Sequence, residues 1–327
     1  MVIDDYILFS RVSKGEAVLD EFYQEIYKQI CKDDDKVPIL KICYSTQRIC
    51  EYIEYNGQEY IIYNQYIGQT FNRFNRIFYN SNRTFDAIVY AYKYFAEIYH
   101  YLGDFKMACL CAVAYTVNKE DAKGYRNDLS FESRARTTHL QEKFILLHEI
   151  YHWKFSKLSS EQKRELISKK KIEMYNHLSM EKKLNYEQLE QLGISKEGIS
   201  EIERMELDML QSRDDLIEEA LCDEYALQQL VISENDLSLE QVVCAVFVGI
   251  ENLQTMTLME DYARYGGRKD RGITMEATFR KTIFRKCTVA KIALEKKAVL
   301  NELYIQIVET NERFANIVRD PIMAVAT

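Results

Sequence analysis

The chain has 327 residues, of which 47% are hydrophobic and 29% are charged, so it is long enough and apolar enough to fold around a sizeable core. The formal net charge is -8, and no basic face of the kind that nucleic-acid binding needs is evident. Only 11 Gly and 2 Pro occur, which favours long helices with short connections. The composition therefore argues against a disordered chain and against nucleic acid as a partner.

The cysteines and the apolar segments bear on where the protein works. Eight cysteines occur without any CxxC pair, so the chain does not resemble a small disulfide framework. The first residues lack the basic segment and apolar run of a signal peptide. The longest uncharged stretches, 107–118 and 241–250, are too short to span a bilayer. We therefore expect a cytoplasmic protein that does not bind a membrane.

The first 80 residues are expected to form a small β-containing region. The β-branched runs 2–9 and 37–44 favour strands. Residues 49–64 predict a hairpin, because Asn56-Gly57 separates two apolar runs and both residues of such a turn take positive φ.

From about residue 83 the pattern becomes helical. Gly103 is expected to break a helical hairpin. Predicted helices cover 86–101, 105–117, 134–157, 160–177, 180–192, 200–211, 213–231, 238–262, 275–286 and 288–318. The expected fold is mainly α with a small N-terminal β element (α+β), in which a helical region, 81–327, packs with residues 1–80 as one unit.

The segment His148-Glu149-Ile150-Tyr151-His152 carries the clearest chemical signal. On a helix, residues four apart share a face, so the two histidines can offer ring nitrogens to one metal ion. Glu149 follows the first histidine, where it can act as general base toward a water that zinc activates. Apolar neighbours on both sides indicate a buried helix, in which unpartnered polar groups would be costly.

A third ligand is expected from the 213–231 helix. Glu219 and Asp223 fall on one helical face together with leucines, and a metal ion relieves the cost of burying such carboxylates. Glu219 is the favoured zinc ligand, and Asp223 is expected to accept the other ring N–H of His148. Glu218, on a more polar face, is the adjacent alternative. Cys222 is a less favoured thiolate ligand and is better explained as a small core residue.

These two segments together resemble the gluzincin metallopeptidases, which pair HExxH with a helix bearing ExxxD. They are similar to small cytoplasmic bacterial peptidases of the phage-exclusion protease Lit type and the repressor-cleaving ImmA/IrrE type. The resemblance covers residues near 140–158 and 213–230. It implies Zn²⁺ at His148, His152 and Glu219, catalysis by Glu149, and hydrolysis of a cytoplasmic protein substrate, in a stress or phage-defence circuit. Lys154 and the long interval before Glu219 depart from the family pattern.

Two questions stay open at the level of sequence. The donor that would stabilise the oxyanion of the reaction is not evident; His177, Tyr262, Arg264 and Tyr265 are candidates. The alternative to an enzyme is a non-catalytic sensor or interaction protein that keeps a structural metal site on a peptidase scaffold.

Overall fold

The protein is mostly helical with a small three-stranded N-terminal sheet, as the sequence predicts. The computed structural model describes residues 17–32, 36–44, 50–79, 84–119, 131–191, 206, 208–265, 279–285, 298–300 and 302–309. The elements in chain order are α1 (Ala17–Ile30), β1 (Ile39–Cys43), β2 (Glu51–Tyr55), β3 (Gln58–Asn64), α2 (Gln65–Tyr79), α3 (Thr84–Tyr101), α4 (Phe105–Asn118), α5 (Phe131–Ser156), α6 (Ser160–Gln191), α7 (Asp214–Ser233) and α8 (Leu239–Tyr265).

The sheet has the strand order β1-β3-β2. β2 and β3 form the predicted hairpin, and Asn56 and Gly57 between them have φ values of 52° and 72°. β1 runs parallel to β3, with Ile39 opposite Tyr60. β2 is therefore a terminal strand of this sheet, and it packs against α5.

The helical hairpin of α3 and α4 also follows the prediction. Gly103 adopts a φ of 79° between the two helices. Asp104 caps α4, because its side chain accepts a hydrogen bond from the backbone N–H of Met107 at 3.1 Å.

Other sequence expectations were incomplete or wrong. The predicted separate helices 160–177 and 180–192 are one helix, α6, since the segment contains no Gly or Pro to end it. Helices α1 and α2 were not expected among the strands of the first 80 residues. The predicted strand 2–9 lies outside the described residues, as do parts of the predicted helices 200–211, 275–286 and 288–318.

One apolar core joins the N-terminal elements to the later helices. It contains Tyr23 of α1, Ile61 of β3, Phe71 of α2, Leu146 of α5 and Phe247 of α8. Every residue of α5 from 140 to 150 is buried, so this helix crosses the interior of the fold. The HExxH motif thus lies on the central helix, where packing against the surrounding elements fixes its position.

α8 is the one described helix that is long and apolar enough to cross a membrane. Of its most apolar window, 67% is buried inside the fold, as in the core helix of a globular protein.

Glu142 is a buried carboxylate where α5 meets the N-terminal elements. It accepts hydrogen bonds at Oε1 from the hydroxyls of Tyr23 (2.6 Å) and Tyr63 (3.0 Å). Burial raises the pKa of Glu142 to about 7, although both hydroxyls favour the ionised form. A Cβ on Gly68 would lie 1.7 Å from the same Oε1, so a larger residue there would displace this carboxyl group.

We expect Glu142 to make stability depend on pH. Because its pKa rises from 4.5 to about 7 on folding, the folded state binds the proton more tightly. The contribution of Glu142 to stability is then complete below about pH 4.5 and is lost as the pH rises through 7, a change of up to about 3 kcal/mol. Glutamine keeps an oxygen for both tyrosines but cannot ionise. Glu142→Gln should therefore be more stable than the wild type at pH 8 and nearly equal to it at pH 5, measured by urea denaturation.

Glu132→Gln is the matched control, since Glu132 is exposed on the same helix. It should show no such dependence on pH. An equal effect of Glu142→Gln at both pH values would contradict the assignment of the pKa shift to Glu142.

Candidate metal site

Helices α5 and α7 pack against each other and bring the two predicted segments together. His148 and His152 lie one turn apart on α5, with ring centroids separated by 4.8 Å. Their Nε2 atoms are 3.1 Å apart. Two imidazole nitrogens thus converge on one point at the face of α5 that meets α7.

The side chain of Glu219 on α7 meets both imidazoles. Its Oε2 lies 3.3 Å from Nε2 of His148, and its Oε1 lies 3.2 Å from Nε2 of His152. Cys222, one turn further along α7, also belongs to this group: its Sγ and one nitrogen of each histidine all lie within 4.8 Å of one another. The buried group of His148, His152 and Cys222 can hold a metal ion.

The Nδ1 atoms of the two histidines face carboxylates. Asp223 Oδ1 is 2.9 Å from Nδ1 of His148, and Glu218 Oε1 is 2.9 Å from Nδ1 of His152. A carboxylate in this position holds a proton on Nδ1, which leaves the lone pair of a neutral imidazole on Nε2. Both Nε2 lone pairs are then directed toward the point where the Glu219 carboxylate lies.

The carboxylates also control protonation of the imidazoles. Burial opposes the charged form of His148, but hydrogen bonds with Asp223 and Glu219 outweigh it and raise its pKa. In His152, burial is likewise outweighed by hydrogen bonds with Cys222, Glu218 and Glu219, and the pKa is raised. Positive charge is therefore favoured between these side chains. Protons on the two histidines can supply it, or a metal ion that replaces those protons.

Arg280 completes the charge balance around α7. Its Nε and NH2 groups donate to the two oxygens of Asp223 at 2.8 and 2.7 Å, and NH1 lies 2.6 Å from Oε2 of Glu219. Burial alone would raise the pKa of Asp223, but the charge and hydrogen bonds of Arg280 lower it to about 2. Arg280 thus keeps Asp223 and Glu219 ionised and fixes their positions.

Glu149 lies beside this group and is directed toward the sheet. Its Oε2 accepts a hydrogen bond from the backbone N–H of Tyr52 in β2 at 2.9 Å. Burial raises the pKa of Glu149, while the two histidines act in the opposite direction. Glu149 is therefore a buried carboxylate with a raised pKa next to the candidate metal site, a combination that is common at functional sites.

These residues line a cavity of about 930 Å³, within the size range of ligand pockets. Its wall includes His148, Glu149, His152, Glu219 and Arg280. The metal-binding group is therefore accessible to a ligand from one side.

The structure brings together all five residues singled out from the sequence: His148, Glu149, His152, Glu219 and Asp223. Glu218, the alternative to Glu219, contacts Nδ1 of His152 rather than Nε2. Three candidates for the oxyanion donor, Tyr262, Arg264 and Tyr265, are not among the described residues that line the cavity. The side chain of the fourth, His177, lies outside the described residues.

Sequence reasoning missed Arg280 and the backbone N–H of Tyr52. Arg280 follows the site helices by about 50 residues, in a segment without a motif. The contact of Tyr52 is made by its backbone N–H, which does not depend on the type of residue. Comparisons with protein-family profiles, with curated proteins and with solved structures find no match for this chain. The comparisons assign no family, and the protein is a mainly helical one with a candidate metal site.

Proposed function

We propose that the protein is a zinc-dependent endopeptidase and that His148, His152 and Glu219 hold the zinc ion. The observation that carries the proposal is the mutual spacing of three donors. The two Nε2 atoms lie 3.1 Å apart, and each lies 3.2 to 3.3 Å from a different oxygen of the Glu219 carboxylate, Oε2 for His148 and Oε1 for His152. Tetrahedral zinc with ligands at 2.0–2.1 Å places its donors about 3.3 Å apart, so the three groups fit one ion.

Glu219 suits the third position better than Cys222. Its two oxygens reach both Nε2 atoms, and Arg280 holds the carboxylate in place. Cys222 is fully buried, and burial raises the pKa of its thiol to about 12. Its thiol also contacts His152, which already has Glu218 and Glu219 as partners.

Two imidazoles and one carboxylate make a zinc ligand set that keeps a coordination position open for catalysis. When bound, zinc lowers the pKa of a water molecule to about 7 and polarises a carbonyl group. Glu149 then takes a proton from water and delivers it to the leaving amine of the substrate. The backbone N–H of Tyr52 holds one oxygen of Glu149, so the other oxygen carries the proton.

Arg280 and Asp223 hold two of the proposed zinc ligands, His148 and Glu219, in position. Asp223 keeps the proton of His148 on Nδ1, and Arg280 fixes Asp223 and Glu219 relative to each other. Such contacts orient ligands before the metal binds and tune their basicity.

The proposed substrate is a cytoplasmic protein, and neither nucleic acid nor a membrane is a proposed partner. A peptide bond is the proposed target because the combination of two histidines, a carboxylate and an adjacent glutamate matches the chemistry of metallopeptidases. The resemblance to Lit-type and ImmA/IrrE-type peptidases is the basis for placing this activity in a stress or phage-defence circuit.

Zinc-dependent cleavage is the direct test. We expect the zinc-loaded chain to cut a mixture of peptides prepared from a bacterial proteome, with new termini detected by mass spectrometry. The cuts should disappear after chelation and return when zinc is added back. Stoichiometric zinc without any cleavage of peptides or of unfolded protein would instead support the non-catalytic sensor.

A further inference from the structure

The hairpin of β2 and β3 contacts α5 at three regularly spaced residues. Glu149 and Trp153 are four residues apart on α5 and share one face of the helix, and Lys157 follows four residues later, directly after the helix ends. The backbone N–H of Tyr52 reaches Glu149, and the side chain of Glu59 reaches Trp153 and Lys157. The contact to Glu149 is therefore one of a row of contacts that join the hairpin to this helix.

The carboxylate of Glu59 on β3 is where the other contacts meet. Its Oε1 accepts a hydrogen bond from the hydroxyl of Tyr52 at 2.6 Å and lies 2.5 Å from Nζ of Lys157. Its Oε2 accepts a hydrogen bond from the indole N–H of Trp153 at 3.2 Å. Tyr52 pairs with Ile61, two residues after Glu59, so Tyr52 and Glu59 project from the same face of the sheet. One carboxylate thus joins both strands of the hairpin to the end of α5.

The partners of Glu59 keep this carboxylate ionised and fixed. Burial raises its pKa, but hydrogen bonds from Lys157, Tyr52 and Trp153 outweigh burial and lower the pKa. Hydrogen bonds to an ionised acceptor are stronger than those between neutral groups, so three donors hold Glu59 in one orientation. Trp153 belongs to the main apolar core, and packing therefore fixes the anchor on α5 as well.

The hydrogen bond between Tyr52 and Glu149 depends on how the hairpin is placed against α5. The two residues lie 97 positions apart in the sequence, and the N–H of Tyr52 is 2.9 Å from Oε2 of Glu149. β2 pairs with β3 along its whole length, so a shift of β3 at Glu59 moves Tyr52 with it. A displacement of about 1 Å would break this hydrogen bond.

We propose that Glu59 is a positioning residue for Glu149: it fixes the hairpin to Trp153 and Lys157 and so keeps the backbone N–H of Tyr52 on one oxygen of Glu149. The kinetic consequence rests on the proposed peptidase function, whereas the hydrogen bond does not. Without Glu59, Glu149 can turn away from the orientation in which its other oxygen exchanges a proton with water. Glu59→Ala should lower kcat by about 10- to 100-fold, because misplacing a catalytic group by about 1 Å has effects of this size. KM and zinc content should stay at the wild-type values, since substrate binding is not affected.

Hydrogen exchange at the amide of Tyr52, resolved by NMR, tests the hydrogen bond without any substrate. We expect exchange to be slow in the wild type and at least about 10-fold faster in Glu59→Ala. The amide of Leu146, in the buried part of α5, should exchange at the wild-type rate in both proteins. A general loss of stability would instead speed exchange at both amides.

Glu59→Gln is the conservative variant. Its amide oxygen can accept from Trp153 and its NH2 group can donate to the hydroxyl of Tyr52, so only the ion pair with the half-exposed Lys157 is lost. Because an exposed ion pair contributes up to about 1 kcal/mol, kcat should remain within about fivefold of the wild-type value. Glu54→Ala is the matched control, since Glu54 is an exposed carboxylate directly opposite Glu59 in the hairpin. It should keep the wild-type kcat and the slow exchange at Tyr52.

Two results would overturn the inference while the peptidase function stands. One is slow exchange at Tyr52 in a Glu59→Ala protein that circular dichroism shows to be folded. The other is an equal loss of kcat in Glu59→Ala and Glu54→Ala. If Glu59→Ala does not fold, Trp153→Phe decides, because it removes the indole N–H but keeps a ring, and wild-type exchange at Tyr52 would then count against the inference. A zinc-loaded wild type that cuts no peptide would overturn the peptidase function, and the exchange rates alone would decide the role of Glu59.

Discussion

Replacing Glu149 with glutamine is expected to lower kcat/KM for peptide hydrolysis by about 10³-fold while zinc content stays at the wild-type level. General acid–base catalysis by a positioned side chain contributes roughly 10²- to 10⁴-fold. Glutamine has nearly the same shape and keeps an oxygen for the backbone N–H of Tyr52, so the packing around it should persist. It cannot take a proton, and only the proton-transfer role is lost. Peptide kinetics and metal analysis on the same samples measure both quantities.

Glu132→Gln serves again as the matched variant, since it makes the same chemical change at an exposed position on α5. It should retain full activity. A Glu149→Gln protein that cuts peptides at the wild-type rate would remove Glu149 from the reaction. Loss of zinc along with activity would show that Glu149 contributes to metal binding instead.

The second large effect concerns the third ligand. We expect Glu219→Ala to lose stoichiometric zinc, because the Glu219 carboxylate is the group that reaches Nε2 of both histidines. Cys222→Ser should retain zinc, since a serine hydroxyl fills nearly the same buried space. Metal analysis after gel filtration, with zinc titrations for variants that still bind, distinguishes the two residues.

Glu218→Ala is the comparison variant for this experiment, because it removes the carboxylate next to Glu219. Glu218 contacts Nδ1 of His152, so its removal should weaken zinc binding by about 10- to 100-fold without abolishing it. If Cys222→Ser loses zinc and Glu219→Ala keeps it, the site is a His₂Cys centre. Glu219 would then be a neighbouring carboxylate rather than a ligand.

The sequence predicted those parts of the structure that depend on local rules. The Asn56-Gly57 turn requires positive φ at both residues, and few other pairs satisfy that requirement. Helix α7 carries periodic apolar residues and α5 carries an apolar run around the motif, and helical spacing alone places His148 with His152 and Glu219 with Asp223. The contact between these two helix faces was predicted from the chemistry of the four side chains. The sequence between the helices contains no pattern that predicts it.

The remainder depends on contacts between distant parts of the chain. Arg280 reaches Asp223 across 57 residues, and Tyr52 reaches Glu149 across 97. Helix α2 was missed because its aromatic residues favour a strand by composition and Gly68 weakens the helical signal, although Ile67, Phe71 and Phe74 follow a helical spacing. Tertiary packing decides such cases.

The hydrogen bond from β2 to Glu149 affects what site-directed mutagenesis can detect. Its donor is the main chain at Tyr52, so nineteen of the twenty amino acids supply the same N–H and proline alone removes it. Tyr52→Ala would therefore leave the donor itself in place. Its removal requires a change in the backbone itself, such as an ester linkage at that position or a proline replacement.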